Sequence, residues 1–598
     1  MRPSESKYDQ RSSGNSTKSS FIKFFLNFSV INLVFLLFLS LAYLFLIPVH
    51  LKQSIGVNGN SILSYLFLVL AVLGQVGLIN ISLMLCLGVV ILGLRYLFRS
   101  TYYDFVLVLL TSFFMSILVI FLVLDISVYH LMGYHLTRTF WNVLFSGVFF
   151  QVIVLSNVEW ITFLIGFFIF LMAEVSLAAW LWQKHYYKYF SWLSISLGLL
   201  ICSLSGFSYT YYFFNESSVG DLPQLTRVIP YFSTMARMIL PAVKARKLKY
   251  PHYPLVFNAP AKSLNILMIV IDTWRSDMLT KRITPNIWSF AQQSLRFDNH
   301  YSGGNFTRPG IFSLLYGLTP NYWHQMLKSR HGPVLIHQLI KDDYAMEVLP
   351  SASPRFPDFV DTAFHDVPSA WQDTAGINST QRDLNITNEF ESFIASRKQA
   401  QPFFGFLFYD AVHNWCGSSQ AYAKPFQPAI QTCNRMRLAA NTNPAPYLNR
   451  YKNAAHYDDQ LIGNIVNDLR QHDLLKNTVV IITADHGEEF NDSHRGLWGH
   501  GSAFDQYQLH IPFIMHWPGI YSRAINYRTS HYDVVPTLMK YVLGCQNSTS
   551  DYSDGVSLFS KRQPPDILVG SYGRYAYLYS HTIDILFPGG YSIRDPLS

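Results

Sequence analysis

V-V-I-I-T-A-D-H-G-E, from Val479 to Glu488, is the stretch that decides the fold. Val479–Ile482 has the length and β-branched make-up of a strand buried on both faces. Asp485 and His486 follow just beyond its carboxyl end. Ligands of open α/β sheets bind at that end of the strands. An adjacent carboxylate and imidazole suit one divalent metal. The pattern predicts a metal-dependent hydrolase or transferase.

Working outward, the same arrangement recurs. Asn265–Ile271 (N-I-L-M-I-V-I) leads into Asp272, and Phe403–Tyr409 (F-F-G-F-L-F-Y) leads into Asp410. Ile511–His516 is a fourth apolar run, and helical periodicity marks Asn453–Arg470. Such alternation predicts an α/β domain with a mainly parallel sheet and helices on both faces. Three strands with an Asp at or past the end predict one site at one edge. Ser302–Leu314 (S-G-G-N-F-T-R-P-G-I-F-S-L) places Thr307 just before Pro309 and an apolar helical start. Thr307 either caps that helix or presents its hydroxyl where the helix amides favour an anion.

The first third of the chain has another composition. Aromatics make up 16% of the 598 residues and charged residues only 14%, too few charges for an ordinary soluble protein. Five apolar stretches, 24–47, 62–94, 103–126, 148–173 (or slightly later) and 191–211, are long enough to span a bilayer. The second is overlong and either tilts or breaks near Gly74–Gln75. As a single span it puts the basic N-terminal tail, Arg95 and Arg99, and Lys184 and Lys188 on one side. That is the positive-inside pattern, so five spans are expected, with a cytoplasmic N-terminus and an extracytoplasmic C-terminal domain. The expected divisions are a tail over 1–20, a five-helix membrane domain over 21–211, a basic interfacial linker over 212–262 and an α/β domain over 263–598. Asp125 and Glu174 fall in or near spans, where a carboxylate either does chemistry or hydrogen-bonds between helices.

In the linker, Arg237, Lys244, Arg246 and Lys247 lie among apolar residues. That mixture either binds lipid phosphates at the interface or forms a solvated basic linker. The net charge of +8 is spread out rather than gathered into a basic face. This argues against nucleic acid and for anionic lipid. No C-x-x-C motif occurs, so cysteine-bound zinc is not expected. Cys416 and Cys433 are close enough in sequence to bond in an oxidising compartment, or to stay free.

As a set, I-D-T-W-R at 271–275, G-N-F-T-R-P-G at 304–310, T-A-D-H-G-E at 483–488, W-G-H-G at 498–501 and I-P-F-I-M-H-W-P-G at 511–519 resemble the alkaline phosphatase/sulfatase superfamily over about 264–545. That superfamily includes phosphoethanolamine transferases and lipoteichoic acid synthases, which join a five-span anchor to an extracytoplasmic catalytic domain. The whole chain resembles the YejM/PbgA family of Gram-negative inner-membrane proteins more closely. That resemblance rests on 302–317, T-M-A-R at 234–237 and W-Q-K at 182–184.

The resemblance implies a periplasmic sulfatase-like domain and a role in lipopolysaccharide and outer-membrane lipid homeostasis. Phospholipid or lipid A, and inner-membrane regulatory proteins, are the implied partners. It also implies one divalent metal (Zn, Mn or Mg) bound by Asp272, Thr307, Asp485 and His486. Thr307 is then the metal-activated nucleophile, and His413 and His500 contact substrate or protonate the leaving group. Glu488, His494 and Arg308 are weaker candidates. Formylglycine sulfatases carry C/S-x-P-x-R; here Thr307 leads T-R-P-G-I, which speaks against sulfate-ester hydrolysis. Some family members lack the Asp-His pair and act as regulators. The alternative reading is therefore a non-catalytic lipid sensor of lipopolysaccharide synthesis with a vestigial metal site.

Overall fold

The computed structural model describes Phe24 and residues 27–45, 61–97, 102–132, 135–136, 157–184, 191–215, 229–230, 248–258, 263–417, 422–433, 435, 438–561, 564–571, 574–586 and 592–597. The chain divides into two compact units, one helical and one α/β.

The helical unit contains α1 (Asn27–Phe45), α2 (Ser61–Leu97), α3 (Tyr102–Met132), α4 (Asn157–Lys184) and α5 (Ser191–Asn215). Among the described residues, α1 to α4 are long and apolar enough to cross a membrane. The overlong second stretch is one helix of 37 residues with no break at Gly74–Gln75. The described part of the fourth helix, from Asn157, lies at the later placement allowed for that stretch; 148–156 fall outside the described residues. Among the described residues four spans are reached and not five; in α5 the side chains described, Ser196–Thr210, form a shorter apolar helix. Polar residues of α5 bond α2: Ser205 Oγ donates to Gly74 O at 2.7 Å and Tyr209 Oη to Gln75 Oε1 at 2.6 Å. Hydrogen bonds of this kind substitute for the missing hydrophobic drive between helices in lipid.

The two acidic residues also join helices. Asp125 accepts from Tyr43 Oη (2.6 Å), Leu136 N (2.7 Å) and His135 Nδ1 (2.7 Å). Glu174 accepts from Asn32 Nδ2 at 3.1 Å. The segment holding Arg237, Lys244, Arg246 and Lys247 lies outside the described residues.

The α/β unit is built on a seven-stranded sheet. Its strands are β1 (Asn265–Ile271), β2 (Leu295–Phe297), β3 (Ala345–Pro350), β4 (Phe403–Tyr409), β5 (Thr478–Ala484), β6 (Phe513–His516) and β7 (Arg523–Ile525), in the order β7-β2-β6-β5-β1-β4-β3. All run parallel except β6, which is antiparallel to both β5 and β2. The apolar run at Ile511–His516 is thus a strand of reversed direction.

Side chains of β1 alternate between two cores. Ile266, Met268 and Val270 pack on one face with α6 (Thr307–Tyr316). Leu267, Ile269 and Ile271 pack on the other, with Ile386 and Phe390 of one helix (Ser379–Ser396) and Ile462 and Ile465 of another (Ala445–Gln471). Burial of both faces explains the unbroken apolar runs read from the sequence. A second, four-stranded antiparallel sheet closes the chain: β8 (Ile567–Ser571), β9 (Arg574–Leu578), β10 (Thr582–Leu586) and β11 (Ser592–Pro596).

Replacing Asp125 by Ala strands Leu136 N–H in an apolar setting. The expected cost is about 1–3 kcal/mol, read as a lower thermal midpoint of the full chain in detergent. Glu174→Gln, which keeps an acceptor for Asn32, should cost about 1 kcal/mol or less.

Candidate active site and metal centre

β4, β1 and β5 are neighbours, so Asp410, Asp272 and Asp485 emerge side by side at their carboxyl ends. All three are buried, at 2%, 3% and 0% exposure. Thr273, directly after Asp272, has φ +62°, a costly backbone for a β-branched residue. It is held there by its N–H to Asp485 Oδ1 (3.1 Å), its hydroxyl to Asp272 O (2.6 Å) and Tyr451 Oη donating to its carbonyl (2.7 Å).

Asp485 Oδ1 also accepts from His486 N (2.8 Å). His486 Nδ1–H donates to Gly487 O at 2.9 Å. This leaves Nε2 as the free lone pair, the second-shell arrangement usual for a metal-binding imidazole. Nε2 lies 3.4 Å from Asp485 Oδ2, 3.6 Å from Asp272 Oδ1 and 3.5 Å from Thr307 Oγ1.

Thr307 is the first residue of α6. Phe306 occupies the cap position in extended backbone (φ −157°), and no side chain caps the helix. The Thr307 hydroxyl therefore does not serve as a cap; it faces His486. Gly310, one turn along, permits this: a Cβ there would meet Asp485 O at 2.3 Å. Ser302 Oγ donates to that same carbonyl.

The donor set fits a cation. Asp272 Oδ1 and Asp485 Oδ2 are buried and have no hydrogen-bond partner. Burial and mutual repulsion push the Asp272 pKa well up, and burial raises that of Asp485. Burial lowers His486 to about 4, so it is neutral as a ligand must be. One ligand atom from each of Asp272, Asp485 and His486 lies within 4.8 Å of the others. Asp272, Asp410 and His413 form a second such group, but there the charges are already matched. Asp410 accepts from His413 Nδ1 (3.2 Å), Arg382 (3.0 Å) and Asn414 (2.8 Å).

His413 and His500 stand beside the first group, their ring centroids 5.2 Å apart. Burial lowers the His413 pKa, but Asp272 and Asp410 outweigh it and hold it at about 9. His500 Nδ1–H donates to Glu488 Oε2 at 2.8 Å. Against its own burial, that contact keeps Glu488 ionised, near 2. Of the weaker candidates, Glu488 orients His500. Arg308 pairs with Asp358 at 3.1 Å and lies 5.0 Å over Trp323. His494 sits in a turn with φ +56° and is not among the residues lining the cavity at Thr307.

With this geometry in place, similarity to known proteins becomes informative. The Sulfatase family model matches residues 264–544, and a domain of unknown function, DUF3413, matches 11–256. Inner membrane protein YejM of Salmonella typhi is 27% identical over 321 residues, 53% of this chain and 48% of that one. The chain therefore spans about half the length of that relative. An uncharacterized Haemophilus influenzae protein is 23% identical over 77% of this chain and 75% of its own. The integral membrane lipooligosaccharide phosphoethanolamine transferase A (EptA) of Neisseria meningitidis shares the fold. Its TM-score is 0.54 at 15% identity, covering 86% of this chain and 96% of that chain.

The chain is YejM-like, and its residues 264–544 match the Sulfatase family. It is a multi-pass inner-membrane protein.

The matched Sulfatase region ends before the small sheet, where the sequence carries no functional signal. In this YejM-like chain the small sheet braces the site. Gly570 of β8 bridges to Gly304; its N–H donates to Gly303 O (2.9 Å) and its carbonyl accepts from Asn305 N (3.1 Å). Ser571 Oγ donates to Gly501 O (3.1 Å), next to His500. These partners lie 70 or more residues apart and follow no local pattern.

A Cβ at Gly570 would meet Pro320 Cγ at 2.7 Å. Gly570→Val should therefore lower stability by about 1–3 kcal/mol, and Ser571→Ala by about 1 kcal/mol. An unchanged unfolding midpoint for Gly570→Val would remove the brace.

Proposed function

We propose that the chain is a metal-dependent phosphatase or phosphotransferase acting on a lipid-linked phosphoester, with Thr307 as nucleophile. We place it in lipopolysaccharide and outer-membrane lipid homeostasis. The observation that carries this reading is the pair of buried, unpartnered oxygens, Asp272 Oδ1 and Asp485 Oδ2, facing His486 Nε2 and the Thr307 hydroxyl. A vestigial site is under no constraint to keep two uncompensated carboxylate oxygens buried, since each costs free energy without a cation.

A divalent ion (Zn²⁺, Mn²⁺ or Mg²⁺) held by Asp272, Asp485, His486 and Thr307 would acidify the hydroxyl and offset phosphoryl charge. The chain's own groups supply the rest. Thr307 Oγ1 bonds to phosphorus as the bond to the leaving oxygen breaks. His413, whose Nδ1 is held by Asp410, gives that oxygen its proton. His500, kept in one tautomer by Glu488, takes a proton from the water or acceptor hydroxyl that then displaces Thr307 from phosphorus.

The proposed topology keeps all five helices as spans over 21–211, a cytoplasmic tail over 1–20, an interfacial linker over 212–262 and a periplasmic domain over 263–598. The Cys416–Cys433 disulfide supports that side of the membrane, since such bonds persist in oxidising compartments. Arg237, Lys244, Arg246 and Lys247 would then meet lipid phosphates.

The full chain, purified in detergent, should carry about one divalent metal per molecule by mass spectrometry, lost in Asp485→Asn. Thr307→Ala should reduce phosphoester turnover on the order of a thousandfold or more. Metal-free wild type, or turnover unaffected by Thr307→Ala, would sink the enzyme reading and leave the lipid sensor. The two cysteines should resist thiol labelling in intact cells until reduced. Replacing both by Ser should destabilise the domain by about 3 kcal/mol, the entropy of a loop of their 17-residue separation.

A further inference from the structure

Beside Thr307 the site opens into a cavity of about 110 Å³. The cavity's polar lining is Asp272, Thr307, Asp410, His413 and His500 with Arg308 and Ser353; the other lining residues are apolar. Phe406 and Phe408 come from the same face of β4, Phe364 packs against Phe406, and Phe306, Phe356 and Ala352 complete the wall. Phe406, Phe408 and Phe364 are 2%, 6% and 2% exposed, so these rings belong to the core beneath the site and are not surface side chains folded inward.

The wall is tied to the nucleophile. Arg308, adjacent to Thr307, holds Asp358 two residues beyond Phe356. A site for an inorganic anion, or for a phosphoryl group on a polar alcohol, would be surrounded by donors. Here most of the lining is apolar and Arg308 is already engaged by Asp358, so water would leave the space among the rings at little cost.

We infer that this cavity receives the alcohol side of the ester, and that the substrates are phosphate esters with a compact apolar carbon group next to the phosphoryl. The assignment rests on the phosphotransfer reading of the same site and adds its substrate class. An apolar cavity of roughly 150 Å³ holds a benzene ring, so this one has room for roughly four carbons. The attack by Thr307 then breaks the bond between phosphorus and the alkyl oxygen. The alcohol leaves protonated from the cavity, while the phosphoryl group remains on Thr307.

The test is a binding series on the full chain in detergent with Mn²⁺, by calorimetry: inorganic phosphate, then methyl-, ethyl-, propyl- and butylphosphonate. Affinity should rise about fourfold per methylene, the factor that corresponds to about 0.8 kcal/mol, and flatten beyond butyl. Ala352→Phe, which adds volume at a half-buried wall position and removes no core contact, should cancel the dependence on chain length.

A flat or falling series in the wild type with phosphate still bound, or a gain that survives in Ala352→Phe, overturns the cavity assignment and leaves phosphotransfer standing. A rising series with no phosphoryl transfer from butyl phosphate does the reverse. No binding of any member, phosphate included, overturns both.

Discussion

Two buried carboxyl groups a few ångströms apart, each with one oxygen that lacks a hydrogen-bond partner, are the constraint around which the α/β unit is organised. Asp272 and Asp485 end adjacent parallel strands, and parallel pairing with both faces covered leaves neither carboxylate a way to water. Their repulsion and desolvation are relieved either by protonation or, in the reading proposed above, by a cation between them. The surrounding backbone is shaped to hold them there: Thr273 in left-handed conformation, Gly310 letting α6 touch the Asp485 carbonyl, and Ser302 donating to that carbonyl. Thr307 is brought to the site by the same contact that fixes Asp485.

Around this centre the charges are sorted by what surrounds them. The Asp410–His413 pair has Arg382 and Asn414 to satisfy it, while the Asp272–Asp485–His486 group has unpartnered oxygens. His413 and His500 differ for the same reason. One is held cationic by carboxylates; the other is buried and orients through Glu488. Two imidazoles with different environments can take opposite proton-transfer roles. The apolar cavity next to them adds a low-dielectric wall, which strengthens each of these interactions.

The helical unit follows the opposite economy. Its few polar side chains are spent on joining helices: Tyr43 to Asp125, Asn32 to Glu174, Tyr209 to Gln75.

The sequence by itself determined the α/β class, the three central strands and the side of the sheet on which the site lies. Period and burial are local properties, and an Asp just beyond an apolar run announces a strand's carboxyl end. It also brought Thr307, Asp485 and His486 into one argument, because their motifs are contiguous. Strand direction was not legible in it: β6 reads as another buried run and is antiparallel, since an apolar hexapeptide carries no sign of its orientation. Nor were Asp410 as the anchor of His413, Glu488 as the anchor of His500, the bond between Cys416 and Cys433, or the small sheet's hold on Gly303 and Asn305. Those depend on which distant backbone groups are left needing a partner once the sheet has formed, and only the tertiary structure decides that.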